Sequence, residues 1–190
     1  NTEIKNDLQP YNEGRFYMSA GKSRRTGVEL GLSGETQGGV FASLAFTASR
    51  NQYLDYTVDS SLFKTGGQRA VFNGNKVPGI AGVMAQAELG TELPGVRIVR
   101  VKLGVEHSGT YFADDGNLVN VPAYTIINLT AELRKPIVTA NGWGVRGFIT
   151  VHNVADTKYI GSAFLNPLYN SAREALAFEP GMPQSVMLSL

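Results

Sequence analysis

"GGVFASLAFTASRNQYLDY", residues 38–56, alternates strictly in character. Val40, Ala42, Leu44, Phe46 and Ala48 share one side, and Ser43, Ala45, Thr47, Ser49 and Asn51 share the other. A period of two is the signature of a strand with two different faces. What decides the fold is which face meets which solvent. An apolar face turned to a core makes a soluble barrel or sandwich, and the same face turned to lipid makes a membrane barrel.

The same period recurs along the chain. Eight segments show it, at about 13–20, 25–35, 39–53, 79–92, 97–113, 123–136, 143–158 and 183–190. In 25–35, Thr26, Val28, Leu30 and Leu32 alternate with Gly27, Glu29, Gly31 and Ser33. In 97–113, Val99, Val101, Leu103 and Val105 alternate with Arg100, Lys102, Gly104 and Glu106. Phe148 interrupts the polar face of the seventh segment. No segment has the period of a core helix. The connections alternate too: "ETQGG" (35–39), "ELPGV" (92–96) and "VTANG" (138–142) are short turns rich in Gly, Pro and Asn. The stretches 54–78, 114–122 and 159–182 are longer, "GKSRR" (21–25) reads as a short turn at the long-loop end, and "NSAREALAFEP" (170–180) has room for one helical turn.

Composition narrows the class. The 190 residues carry a formal charge of +1 and no basic stripe with interleaved aromatics, so nothing points to nucleic acid. There is no cysteine, which excludes disulfides and thiolate metal sites and fits a cell-envelope location. No window approaches the ~18 apolar residues of a spanning helix, a test that strands of a barrel escape because they alternate. The first residues, "NTEIKNDLQPYNEG", contain no signal-peptide pattern, which fits a mature chain or a piece of a longer one.

Three features favour lipid over a core. Several strands exceed the ~5–6 residues usual in soluble sheets and reach the ~9–11 that cross a bilayer at a tilt. The apolar faces are built of small and medium side chains, not the large ones that fill a closed interior. Aromatics gather near strand ends, among them Phe16, Tyr17, Tyr53, Tyr56, Trp143 and Tyr159, as interfacial girdles do. The sequence therefore predicts an all-β antiparallel transmembrane barrel segment over residues 1–190, with no plug domain. About eight strands either belong to a larger barrel or close on themselves as a small one.

Four stretches in a fixed order carry a resemblance: "SAGKSRRTGVELGLSGE" (19–35), "FNGNKVPGIAG" (72–82), "VHNVADTKYIGSAFLNP" (151–167) and "FEPGMPQSVMLSL" (178–190). Together they resemble the C-terminal barrel part of TonB-dependent outer-membrane receptors. The resemblance implies a wide barrel in the bacterial outer membrane with a plug inside it, importing ferric siderophores or similar scarce ligands with energy passed through TonB. It implies lipid, the remaining barrel and a plug as partners, and no cofactor. The family's last strand commonly ends in an aromatic, whereas this one stops at Leu190.

Among chemistry-bearing residues, Tyr53, Arg69, Tyr111, Tyr159 and Arg173 are the expected ligand-facing set, because anionic siderophores favour Arg and aromatics. No metal or catalytic site is expected. His107 and His152 have no ligand spacing, and His107 is expected on the lipid face near the loop end, His152 in the lumen beside Thr150. Ser108, His152 and Asp156 compose a triad in type only, so a membrane hydrolase is a weak third reading after a small closed structural barrel. "ADDGN" (113–117) holds half the acids of a calcium loop and reads as a solvated turn.

Overall fold

The computed structural model describes residues 1–11, 14–59, 69–167 and 178–190. In chain order the strands are β1 (Thr2–Tyr11), β2 (Phe16–Glu35), β3 (Phe41–Asp55), β4 (Thr57–Asp59), β5 (Arg69–Val71), β6 (Val83–Leu93), β7 (Val96–Ser108) and β8 (Tyr111–Phe112). They continue with β9 (Asn120–Val121), β10 (Tyr124–Leu133), β11 (Ile137–Val138), β12 (Gly144–Val145), β13 (Phe148–His152), β14 (Ile160–Ala163), β15 (Phe178–Pro180) and β16 (Ser185–Ser189). Eight of them form one antiparallel sheet in the order β1-β2-β3-β6-β7-β10-β13-β16. The others pair in four small hairpins inserted in the connections.

The register makes the two faces continuous across strands. Leu32, Leu44, Ala87, Val105 and Ile127 lie in one cross-strand row. Leu89, Leu103, Leu129, Val151 and Val186 lie in the next. Most of these large apolar side chains are exposed, including Leu32, Leu89, Leu103, Ile127, Leu129 and Val186. An exposed apolar band of this extent is a surface for lipid, not for water. One position out of phase runs the row Ser33, Ser43, Glu88, Gly104 and Asn128 on the concave inner side. The even-numbered residues of 40–48 thus belong to the outer band. His152 lines the inner hollow with Thr150 and Glu106, and His107 bonds Thr125 Oγ1 (2.9 Å) on the outer face.

The short turns fall at one end. Gly39, Gly95 and Gly142 occupy left-handed backbone in the turns 36–40, 94–95 and 139–143, where a side chain would be strained. The helical turn suggested within 170–180 falls mostly outside the described residues, and its last part, Phe178–Pro180, is β15.

Several expectations change. "GKSRR" is no turn. The segments 13–20 and 25–35 join in the twenty-residue β2, and the first strand is residues 2–11. The charges that look turn-like are cross-strand partners: Glu3 binds Lys22 Nζ and Arg24 (2.6 Å each), and Asp7 binds Arg25 (3.2 Å) and Ser23 (2.8 Å). At about 3.3 Å per residue, β2 is far longer than a bilayer crossing. Its lower half carries the apolar band, and its upper half stands above it with β1. The segment 97–113 leaves the wall after Gly109, whose N–H makes a last bond to Val83 O on β6 (2.8 Å), and resumes as β8 paired with β9. The segment 143–158 keeps only Phe148–His152 in the sheet, because 137–145 folds into its own hairpin.

Nor does the sheet close on itself. Among the described residues β1 pairs only with the upper half of β2, β16 pairs only with β13, and the two edges do not meet. The small self-closed barrel is thereby replaced by an open arc of wall.

The two faces predict opposite responses to charge. Leu44→Arg should destabilise the assembled barrel by about 2–4 kcal/mol if it sits near mid-bilayer, and Thr47→Arg by much less. Urea unfolding in lipid vesicles measures both, and a larger effect at Thr47 would reverse the faces.

Candidate functional site: the loop platform and the lumen face

At the long-loop end the connections converge on Asp115. Its carboxylate accepts hydrogen bonds from the hydroxyl of Tyr11 at the end of β1 and from the hydroxyl of Tyr53 near the end of β3 (2.6 Å). It also accepts one from the Asn166 amide (3.1 Å). Asp115 N–H donates to Asn166 Oδ1 (2.9 Å), and Asp115 C=O accepts from Asn75 Nδ2 (2.7 Å). Asn166 also donates to Pro10 O (3.0 Å), and the hydroxyls of Tyr11 and Tyr56 lie 2.9 Å apart. One residue, through its carboxylate and its backbone, therefore ties together five separate stretches of chain.

The neighbourhood is dry. Asp115 is 1% exposed and Tyr53 is wholly buried, with Ala20, Tyr56, Val58 and Val77 forming an apolar cluster around the tyrosine. Ala113, Val119 and Val121 form a second cluster beside it. Burial pushes the Asp115 carboxyl above its usual range, and the tyrosine and Asn166 donors only partly offset this. Asp114 is spent locally: its Oδ1 caps the N–H groups of Leu118 (2.9 Å) and Val119 (2.7 Å). Asn117 takes a positive φ and exchanges hydrogen bonds with the Lys76 backbone in both directions. So "ADDGN" is not a solvated turn. Its acids face into the protein, because the apolar residues on both sides fold over them.

Three of the expected ligand-facing residues, Tyr53, Tyr111 and Tyr159, are described in or beside this platform. Tyr53 is in its interior, beneath the surface. Tyr111, in β8, is half-buried against the Ala113 cluster. Tyr159 packs against Tyr124 with ring centroids 4.3 Å apart and planes tilted by 34°, and Gly181 lies against its ring. The Arg69 backbone pairs with Asp59, its side chain lies outside the described residues, and so does Arg173 altogether. Tyr53 and Tyr56 point inward and so are not girdle aromatics, whereas Trp143 is exposed at the opposite end. Sequence reasoning did not single out Tyr11, Asn75 or Asn166 and took Asp115 for surface. The available signal was the placement of "ADD" before Val119 and Val121, and Asn-rich "FNGN" and "FLNP".

Where β13 leaves the wall, Asn153 replaces the lost ladder. It accepts from Thr157 N–H (2.9 Å) and donates to Thr157 O (2.9 Å) and Met182 O (3.2 Å), while Asp156 accepts from Gln184 N–H (3.1 Å). This is the bend expected of "HNVADTKY". Ser108, His152 and Asp156 are not joined: Ser108 Oγ contacts only Gly109 O and Asp156 pairs with Lys158.

The lumen face near the short turns holds an ion lattice. Lys102 lies between Glu88 (3.4 Å) and Glu132 (2.9 Å). Arg134 bridges Glu35 (3.0 Å) and Glu92, and Glu35 also holds Arg100. Opposite charges alternate across neighbouring strands, so each repulsion has a compensating partner.

The family model for the TonB dependent receptor-like β-barrel matches residues 1–154. The chain belongs to this TonB-dependent receptor barrel family. A ferrioxamine receptor of Yersinia enterocolitica is 26% identical over 151 residues, which are 78% of this chain and 19% of that protein. The siderophore receptor PiuA of Acinetobacter baumannii superposes with a TM-score of 0.70 at 21% identity, covering 98% of this chain and 24% of that one. The ferric yersiniabactin uptake receptor FyuA of Yersinia pestis gives 0.68 at 16% identity, covering 97% and 25%. The chain therefore spans about a fifth to a quarter of the length of these relatives, and the fold is that of an arc of TonB-dependent receptor wall. The family is one of receptors and transporters, not enzymes.

Asp115→Ala should loosen the platform by about 2–4 kcal/mol, since two buried hydroxyls and a half-buried amide lose their acceptor. Hydrogen exchange on the full receptor should show the loss at 113–121 and 53–56 and leave the membrane strands protected. Gly181→Ala should also disturb the platform, because its Cβ would overlap the Tyr159 ring.

Proposed function

We propose that these residues form the last part of the wall, and part of the outer ligand-binding platform, of a receptor that imports a ferric siderophore or a similar scarce ligand. The receptor sits in the outer membrane of a Gram-negative bacterium. Residues 1–190 contribute barrel and no plug, so energised uptake depends on a plug and on TonB acting through it. The observation that carries the reading is the pairing of an exposed apolar outer band with a charged inner face, topped by loops clamped at Asp115. That arrangement suits a wide lumen with a rigid rim. Tyr111, Tyr159, Arg69 and Arg173 are the proposed ligand-facing residues of the rim, and Tyr53 supports them through Asp115. Supporting the ligand class, the matched relative is named a ferrioxamine receptor and the matched structures a siderophore receptor and a ferric yersiniabactin receptor.

The loops lie outside the cell and the short turns in the periplasm. Cysteine is absent from this chain, so engineered thiols report cleanly. A membrane-impermeant maleimide should label Lys158→Cys on whole cells, and Asn141→Cys only after the outer membrane is opened. The opposite pattern would invert the topology. In cells depending on the full receptor for iron, Arg69→Ala with Arg173→Ala should cut ferric siderophore binding by about tenfold, by loss of charge-assisted contacts. Undiminished binding would remove these residues from the site. Cells producing residues 1–190 alone should show no TonB-dependent accumulation.

A further inference from the structure

Two thioether side chains stand exposed beside the one histidine of the lumen face. Met182 and Met187 are 56% and 57% exposed. The register of β13 and β16 places them. Ser185 lies directly opposite His152, and Met187 directly opposite Thr150. Residues directly opposite in an antiparallel pair point to the same side of the sheet. His152 and Thr150 line the inner hollow, so Ser185 and Met187 face inward with them, and Val186 and Leu188 belong to the outer band. Met182 is brought in from the connection ahead of β16. Its Sδ accepts a hydrogen bond from Ser185 Oγ (3.3 Å). Its C=O accepts one from Nδ2 of Asn153, the residue after His152 (3.2 Å). One thioether thus sits against the residue that faces the imidazole. The other is a diagonal cross-strand neighbour of His152, at a spacing of ~7–8 Å that two long side chains close from both ends.

The fold makes no other use of these groups. Among the described residues the His152 ring has no hydrogen-bond or ion-pair partner, and neither methionine belongs to the two apolar clusters. Among the same residues no group of three His, Cys, Asp or Glu could hold a metal ion. The expectation of no metal site weighed that kind of spacing and left sulfur aside. Two thioethers and an imidazole are a different donor set. They are neutral and polarisable, and they match a soft cation better than a hard one. The nearby charge has the right sign, because the charged residues lining the hollow are Glu88 and Glu106.

We propose that His152, Met182 and Met187 bind a soft monovalent d10 cation, copper(I), on the lumen wall where β13 leaves the sheet. Silver(I) has the same charge and softness and no redox chemistry under the same conditions, so it serves as the probe. The inference goes beyond the siderophore reading and does not depend on it. It uses only the placement of β13, β16 and the connection between them.

The test is silver(I) binding to the detergent-purified full receptor carrying [methyl-13C]methionine, in nitrate buffer free of chloride and thiols. Silver nitrate should shift the methyl resonances of Met182 and Met187, assigned from the Met182→Leu and Met187→Leu variants. The methyl of Met84, exposed on the inner face of β6, should stay in place. In titration calorimetry Met182→Leu/Met187→Leu, a change that nearly conserves volume, should weaken this silver site at least tenfold. His152→Gln should weaken it too, and Met84→Leu should leave it unchanged. Magnesium nitrate should shift none of the three methyls. Unmoved Met182 and Met187 methyls, an equal shift at Met84, or full silver affinity in Met182→Leu/Met187→Leu would each overturn the proposal. Full affinity in His152→Gln would remove the imidazole and overturn the three-ligand site.

Discussion

A strand in hydrocarbon has nowhere to place its N–H and C=O groups except on another strand. In water an unpaired edge is satisfied by solvent. In lipid each unsatisfied group costs several kcal/mol. The eight-stranded sheet obeys this constraint throughout its breadth, each member paired to the next in chain order by a nearly unbroken antiparallel ladder. The same constraint makes the lower half of β2 and the free edge of β16 places where further strands must join. Among the described residues these two edges do not pair with each other, and the sheet is an open arc.

Once the ladder handles the backbone, the side chains are free to divide by face. The outer face needs no tight packing, because lipid chains conform to it, which explains the many small residues such as Ala42, Ala48, Ala85 and Ala87. The inner face must stay wet or be paired. Lys102 between Glu88 and Glu132, and Arg134 between Glu35 and Glu92, show pairing by alternation along the cross-strand rows. These are partly exposed pairs on a face open to water, so each is worth little alone.

The wall was legible in the sequence because its rule is local: one residue in, one residue out. Leu44 and Thr47 could be assigned to faces without any knowledge of their neighbours. The first hairpin was not legible, because its rule is pairwise. Lys22, Arg24 and Arg25 read as a turn when seen alone and as a strand only when Glu3 and Asp7 stand opposite. The same reason hid the platform. Tyr11, Tyr53, Asn75, Asp115 and Asn166 are separated by up to 155 positions and share no spacing, yet they meet at one residue, Asp115. An acid next to a glycine resembles a surface turn by composition, and only the apolar residues beyond it hint that it folds inward.

The two ends of the wall use opposite chemistry. At the short-turn end, charges pair in a lumen open to water, where they can exchange partners at small cost. At the long-loop end, a single carboxylate is shut away from water with neutral donors around it. Removing solvent makes each of its hydrogen bonds stronger and makes any missing one more expensive. A cluster of that kind has one satisfactory arrangement, so the stretches it joins move together or not at all. Loops that must present side chains to a ligand gain from such a base, because order already established does not have to be lost again on binding. The long connections of this chain are thus anchored at Asp115 where they leave the membrane.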